Sequence, residues 1–380
     1  MPSISISRQI KKLFLYEEKQ KLGETARNVE GPKAQEPTPC IQPQNNITDP
    51  VISSSLTPGL EGSALPIIDY KDISQVPDVL TRFPAFYLTN HPLPPAPFHH
   101  ARTLLGLPAD VKDKLRDPGK STVRGYSNAK ASGREWWDYN PAENILGPPG
   151  NEEFAKDTPE FFKKSIEILQ NICRQFNSVE ELIPQEVIDE AGFSTMRYLR
   201  YSPDVIEQQP THGGENSQST YNSVLNSRRD GDDGQALPHI EAHTDLDILT
   251  LITATEPSGL YVWNRRGEVF SAPPMDGAVL VMAGDIMPFF TSKPGMSPLA
   301  QHEGLEAVGE NTVLPTAHTV VVPRSAGERY SIAVFLRPRR DMVVDKRVVN
   351  RGGKEVVEET AFWWLATEKL HVEGRKCFLA

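Results

Sequence analysis

The sequence predicts a mainly β fold: a double-stranded β-helix (jelly-roll) core with flanking helices, preceded by a helical amino-terminal region. Three observations carry this. Beyond residue 194 apolar side chains recur at every second position, and β-branched residues are frequent. Turn residues such as Pro257-Ser258-Gly259, Arg266-Gly267 and Ala283-Gly284-Asp285 cut this half into short segments. The preceding stretch 158–183 instead places Phe161, Ile166, Ile168, Leu169, Ile172 and Phe176 at spacings of three and four, the period of a helix.

Taken in order, residues 1–64 read as an amino-terminal helix over 7–27 followed by a Pro/Ser-rich linker. Residues 65–190 read as an amino-terminal α/β region. It has short strands at Leu65–Tyr70 and Phe83–His91, a helical segment near Pro108–Leu115, and the helix 158–183. Thr158 is suited to cap that helix and Pro159 to occupy its first position. Residues 191–340 form the jelly-roll core. Its candidate strands are 195–201, 239–244, 248–254, 259–263, 278–282, 286–290, 316–322 and 329–336, and short strands in this number suit a double-sheet roll. The polar stretches 204–238 and 293–314 are long for connections in a compact domain and read as insertions, either lids over a site or disordered segments. Residues 341–380 read as a carboxy-terminal helical extension. It ends in Cys377-Phe378-Leu379-Ala380, which has the form of a prenylation box but lacks a polybasic run before it.

Composition narrows the function. Of 380 residues, 38% are hydrophobic and 24% charged, as in a globular protein. No apolar run approaches the roughly 20 residues a membrane helix needs. The net charge of -10 disfavours nucleic acid as a partner, because phosphate binding needs a basic surface. The start has no secretory apolar region. The three cysteines, Cys40, Cys173 and Cys377, are far apart and give no disulfide framework, which predicts a reducing, cytoplasmic setting.

The informative residues are His243, Asp245 and His318. In an extended segment His243 and Asp245 point the same way, so one strand end can offer both to one ion. His318 lies in PTAHTVVVP, a separate strand-like run. Two imidazoles and a carboxylate form the facial set that leaves positions open on a mononuclear non-haem Fe(II). Zinc competes, since His239 and His243 form H-x-x-x-H, but Pro238 argues against a helix there and no Glu adjoins the His as in a zinc protease. His239 reads as a packed or supporting imidazole and Asp247 as a decoy carboxylate. Arg329 and Ser331 share strand parity and pair a guanidinium with a hydroxyl, a combination suited to a carboxylate. Iron ligands beside a carboxylate clamp imply an oxygenase that consumes a 2-oxo acid.

These residues sit in a chain that resembles the iron(II)- and 2-oxoglutarate-dependent dioxygenases of the isopenicillin N synthase-like family. The resemblance runs from about Leu65 to Pro338. It covers LPIIDY, FPAFYLTNHPLP, LGLPADVKDKL and RGYSNAKASGREWWDYNP in the first half, then HIEAHTDLDILTLI, SGLYVWNRRGEV, AVLVMAGDIM, AHTVVVP and RYSIAVFLRP. It implies that His243, Asp245 and His318 bind Fe(II), that Arg329 and Ser331 hold the distal carboxylate of 2-oxoglutarate, and that O2 is the oxidant, with succinate and CO2 as co-products. The chain departs from the pattern in three ways. Many members read Asn-Tyr-Tyr-Pro where this chain reads Arg200-Tyr201-Ser202-Pro203, so Ser202 stands where a Tyr often touches the cosubstrate. Phe83 replaces a common Gly, and the two insertions fall where the family is short.

The Arg200 run is similar to that of cephalosporin ring-expansion enzymes. Strand parity groups Tyr198, Arg200 and Ser202 on one face, expected to meet the pocket, with Arg200 either binding an anionic substrate or forming an internal ion pair. Leu249, Leu251 and Phe335 are further candidates for the pocket wall. The expected reaction is oxidation of a C–H bond of a small specialised metabolite by hydroxylation, desaturation or oxidative ring expansion. The alternatives are an iron oxidase of the same fold that needs no 2-oxo acid, and a non-catalytic small-molecule-binding protein.

Overall fold

The computed structural model describes residues 64–117, 124–129, 132–141, 151–177, 182–189, 192–202, 239–292, 311–322, 326–351 and 354–362. The helix expected over 7–27, the linker, most of both insertions and Cys377 lie outside these residues.

Two sheets face each other. The larger has eight strands: β1 (Ile67–Asp69), β2 (Ala85–Thr89), β3 (Gly125–Ala129), β4 (Arg134–Tyr139), β5 (Thr195–Tyr201), β7 (Leu249–Ala254), β10 (Ala278–Ala283) and β12 (Arg329–Leu336). Their order is β1-β2-β10-β7-β12-β5-β4-β3. The smaller contains β6 (Ile240–His243), β8 (Leu260–Trp263), β9 (Val269–Ser271) and β11 (Ala317–Val320), in the order β6-β11-β8-β9. Trp136, Leu199, Tyr201, Met282, Ala333 and Phe335 of the large sheet pack against Leu260, Val262, Phe270 and Val320 of the small one. This is the interior of the jelly roll.

The outer face of the large sheet carries a second core. Tyr198, Leu249, Leu251, Val281, Ile332 and Val334 pack there against Leu104, Leu105, Phe161, Ile168, Leu169 and Ile172 of the helices. The longest helix runs Glu152–Phe176. It starts earlier than its sequence suggests because the Asn151 side chain accepts a hydrogen bond from the Phe154 amide (2.9 Å), with Glu152 and Glu153 in the favourable first turn. Thr158 is not the cap. Its hydroxyl is buried and bonded to the Tyr198 hydroxyl at 2.9 Å, and Pro159 sits inside the helix.

Seven of the eight candidate core strands form. The exception, 286–290, is a short helix, Met287–Thr291, with Pro288 in its first turn. A short apolar run does not separate helix from strand by periodicity, and Pro favours a helix start. The expected carboxy-terminal helix is also corrected: its described part is a hairpin, β13 (Val343–Arg351) paired with β14 (Lys354–Ala361). Two Val-rich runs flank Gly352-Gly353 in the sequence, which is a hairpin signal rather than a helical one. The β3–β4 hairpin was likewise concealed within the supposedly helical first half.

Candidate metal and 2-oxoglutarate site

His243 is the last residue of β6 and stands directly opposite His318 of β11 in the strand register. Asp245 follows in the turn before β7. One ligand atom from each of the three lies within 4.8 Å of the others. His243 Nε2 is 3.8 Å from Asp245 Oδ1, and His318 Nε2 is 3.8 Å from Asp245 Oδ2. The His318 Nδ1 contacts the Thr316 carbonyl at 3.0 Å. A carbonyl can only accept, so Nδ1 carries the proton and Nε2 is left as a lone-pair donor aimed at the cluster. Two nitrogens and a hard oxygen, without thiolate, suit ferrous iron.

Asp245 is placed by its surroundings. Thr250 Oγ1 lies 2.7 Å from Asp245 Oδ2 and 2.7 Å from Asp247 Oδ2. One hydroxyl proton serves one acceptor. Burial, reinforced by the neighbouring Asp245 charge, pushes the Asp247 carboxyl well above its usual range. The Thr250 hydroxyl stands between the two carboxyls and within reach of both. Burial also opposes charge on Asp245, but His318, His243 and the Thr250 bond outweigh it and hold that carboxyl low. The backbone is fixed as well: the amides of Asp285 and Ile286 donate to the carbonyls of Asp245 and Asp247, each at 2.9 Å. Gly284 makes this approach possible, since a Cβ there would overlap the Asp247 carboxyl and carbonyl oxygens.

Arg329 opens β12 on the interior face and is only 1% exposed. Among the described residues it has no carboxylate in ion-pair reach, and its Nε lacks a hydrogen-bond partner. Burial lowers its pKa, while the charges of Tyr201 and of Glu256 work the other way. The guanidinium lies 5.3 Å from the Tyr201 ring centroid. Ser331 follows on the same face and is buried. The sequence reading put the residue beside the cosubstrate at Ser202, whereas the face of Arg329 is shared by Tyr201. Register shows the reason: Arg329 stands opposite Tyr201, so the inward residues of β5 are the odd-numbered ones. His239 backs this corner, with Nδ1 2.7 Å from the Ser132 carbonyl and its ring edge-on to Tyr201 at 5.6 Å.

The same register relocates four candidates. Tyr198, Leu249 and Leu251 belong to the helix-side core, not to the interior. Tyr198 stacks on Trp137 with centroids 5.8 Å apart. Arg200 bonds Glu135 through Nη2 at 2.8 Å and lies 3.6 Å from Glu328, so its charge is answered internally. Phe335 does face the interior. It is accompanied there by Trp136, on a segment the family resemblance places near the active site, and by Arg197 and Arg337, two arginines the sequence did not single out. A second group with ligand chemistry, His99, His100 and Asp157, lies among the helices. There His100 Nε2 contacts Asp157 Oδ2 at 3.2 Å and ties two helices together.

Residues 199–338 match the family described as the 2OG-Fe(II) oxygenase superfamily. This segment is a 2OG-Fe(II) oxygenase domain. The chain is 26% identical over 251 residues to gibberellin 3-beta-dioxygenase 2 of Arabidopsis thaliana, covering 63% of this chain and 67% of that protein. It is 24% identical over 285 residues to the 2-oxoglutarate-dependent dioxygenase htyE of Aspergillus rugulosus, covering 65% and 74%. Among solved structures, the dioxygenase for auxin oxidation in rice shares the fold, with a TM-score of 0.51 at 18% identity over 83% of this chain and 97% of that one. The enzyme is accordingly a dioxygenase that uses Fe(II), 2-oxoglutarate and O2. Among the described residues no helix is long and apolar enough to cross a membrane.

Proposed function

We propose that His243, Asp245 and His318 hold the ferrous ion, that Arg329, Ser331 and Tyr201 hold the distal carboxylate of 2-oxoglutarate, and that the substrate is a small specialised metabolite oxidised at a C–H bond. The observation that carries this assignment is the buried Arg329, with no carboxylate within ion-pair distance among the described residues, in the same interior as the convergent His-His-Asp cluster. A guanidinium in that state is costly unless an anion joins it. A dicarboxylate chelated at the metal supplies that anion, and the Ser331 hydroxyl adds a donor.

Iron, O2 and the decarboxylation of 2-oxoglutarate to succinate and CO2 supply the oxidising power. The chain supplies position. Thr250 holds the Asp245 carboxylate, the Thr316 carbonyl turns the His318 ring, and Trp136 and Phe335 give the interior an apolar wall that keeps water from the reacting bond. Hydroxylation, desaturation and ring expansion then differ in which hydrogen the wall presents. A net charge of -10 favours a small molecule over a phosphate polymer. The free, buried Cys173 suits a cytoplasmic setting.

The test is anaerobic titration of the apoprotein with Fe(II) and then 2-oxoglutarate, followed by aerobic assay of succinate against a substrate panel. A metal-to-ligand absorption band that requires both components, and succinate formed in step with oxidised product, are expected. Product formation without succinate would identify an oxidase that needs no 2-oxo acid. Absence of the band would refute the ligand assignment.

A further inference from the structure

Two buried arginines flank Phe335 on the interior face. Arg197 lies with its guanidinium carbon 5.6 Å from the Phe335 centroid, and Arg337 lies 4.8 Å from it. Arg197 also reaches over Trp136 at 5.4 Å. Each has committed only part of its donor set. Arg197 gives Nε and Nη2 to the two oxygens of Asp138, at 2.7 and 3.0 Å. Arg337 gives Nε to the Leu246 carbonyl at 3.0 Å and Nη1 to the Thr195 hydroxyl at 2.9 Å. Among the described residues Nη1 of Arg197 and Nη2 of Arg337 make no hydrogen bond, and Arg337 has no carboxylate in ion-pair reach. Both side chains are nonetheless largely buried, at 9% and 7% exposed.

Their location ties them to the metal cluster. Leu246 is the residue after Asp245. Phe335 pairs in register with Thr250, whose hydroxyl is 2.7 Å from Asp245. Arg329 and Ser331 lie on the same strand, nearer its start. The two-arginine corner thus lies at the metal end of the interior, apart from Arg329 and Ser331.

Resting on the proposed function above, we infer that the free guanidinium faces of Arg197 and Arg337 hold an acidic oxygen of the substrate, so that the enzyme acts on small organic monocarboxylic acids whose apolar body packs on Phe335 and Trp136. The polar requirement follows from Arg337, a buried cation that hydrogen-bonds only neutral acceptors, while the charges of Asp247, Asp245 and Asp138 reach it from beyond ion-pair distance. The apolar requirement follows from the rings that separate and border the two cations. The site at Arg200, by contrast, is closed by Glu135 and offers a substrate nothing.

The experiment uses the full chain loaded anaerobically with Fe(II) and 2-oxoglutarate. It is titrated with phenylacetate, cinnamate and 1-naphthoate, and with their primary amides, while perturbation of the iron–2-oxoglutarate absorption band is followed. The acids should perturb the band at concentrations about tenfold or more below the amides, the size expected for one charge-assisted contact. Arg337→Gln and Arg197→Gln should each erase that preference while still forming the band. Amides acting as well as acids, or no compound acting on a band that forms normally, would overturn the subsite and leave the metal assignment intact. Failure to form the band in the wild-type chain would instead strike the underlying reading. If the variants lose the band, the acid-to-amide ratio in the wild type decides alone.

Discussion

Gly284→Ala tests the placement of the metal ligands without touching one. The added methyl would overlap the Asp247 side-chain and carbonyl oxygens and lie 2.8 Å from the Asp247 carbonyl carbon. None of these is the free end of a flexible side chain. The Asp247 carbonyl is held by the Ile286 amide, and its carboxyl by Thr250. Relief therefore requires the 245–247 turn to move away from 284–286, which strains the bond from the Asp285 amide to the Asp245 carbonyl. Overpacking of this kind costs about 1–3 kcal/mol, and the rigid neighbours put this case at the upper end. For a domain of this size that corresponds to a melting shift of roughly 2–4 °C per kcal/mol. Displacement of Asp245 should also weaken Fe(II) binding by about tenfold or more, since loss of supporting contacts typically costs 10–100-fold in metal affinity. Thermal melting of the apoprotein and Fe(II) titration read the two effects separately. A variant that melts and binds iron like the wild type would refute the argument that this glycine sets the ligand turn.

Four further outcomes are expected. Asp245→Ala should abolish succinate formation and the iron-dependent absorption band, because it removes the one carboxylate of the cluster. Arg329→Gln should raise the KM for 2-oxoglutarate by about thirtyfold or more, in line with the roughly 2–5 kcal/mol lost when a buried charge pair is broken, while apoprotein Fe(II) affinity stays near wild type. Arg200→Ala should leave the KM for acidic and neutral substrates alike unchanged and shift stability by under about 1 kcal/mol, as for a partly exposed ion pair; a KM rise confined to acids would restore it as a substrate ligand. Burial first, and then nearby arginines, lower the His239 pKa against the usual 6.5. The unfolded chain therefore takes up its proton before the folded one, and stability falls as pH drops below about 6.5. His239→Gln should flatten that acid-side fall in melting temperature.

Much of the site was legible because its residues are few in type and lie on strands with a strict two-residue alternation. His243, Asp245 and His318 needed only chemistry and an extended backbone to be grouped. What parity alone did not supply was the absolute face. Tyr198, Arg200 and Leu249 share a side of the large sheet, but that side is covered by the Glu152–Phe176 helix and its neighbours. Both sides of β5 are apolar enough to be buried, so only pairing partners decide which one looks inward, and those are long-range. The same blindness hid Tyr201, Arg197 and Arg337. The helix boundary moved because Asn151 competes with Thr158 as a cap, and two hairpins were missed because neighbouring helical segments dominated the reading. Arg200 carried two readings in the sequence; Glu135, distant along the chain, closes it.

Strand β12 has a consequence for how such an enzyme changes its chemistry. Its inward positions divide by place: Arg329 and Ser331 at one end, Phe335 and Arg337 at and just past the other. Between and behind them Tyr330, Ile332, Val334 and Leu336 belong to the helix-side core. On the proposed roles, a lineage can exchange the two distal inward residues for others and acquire a new client molecule, while the shared fuel and the scaffold that bears it pass to descendants unaltered.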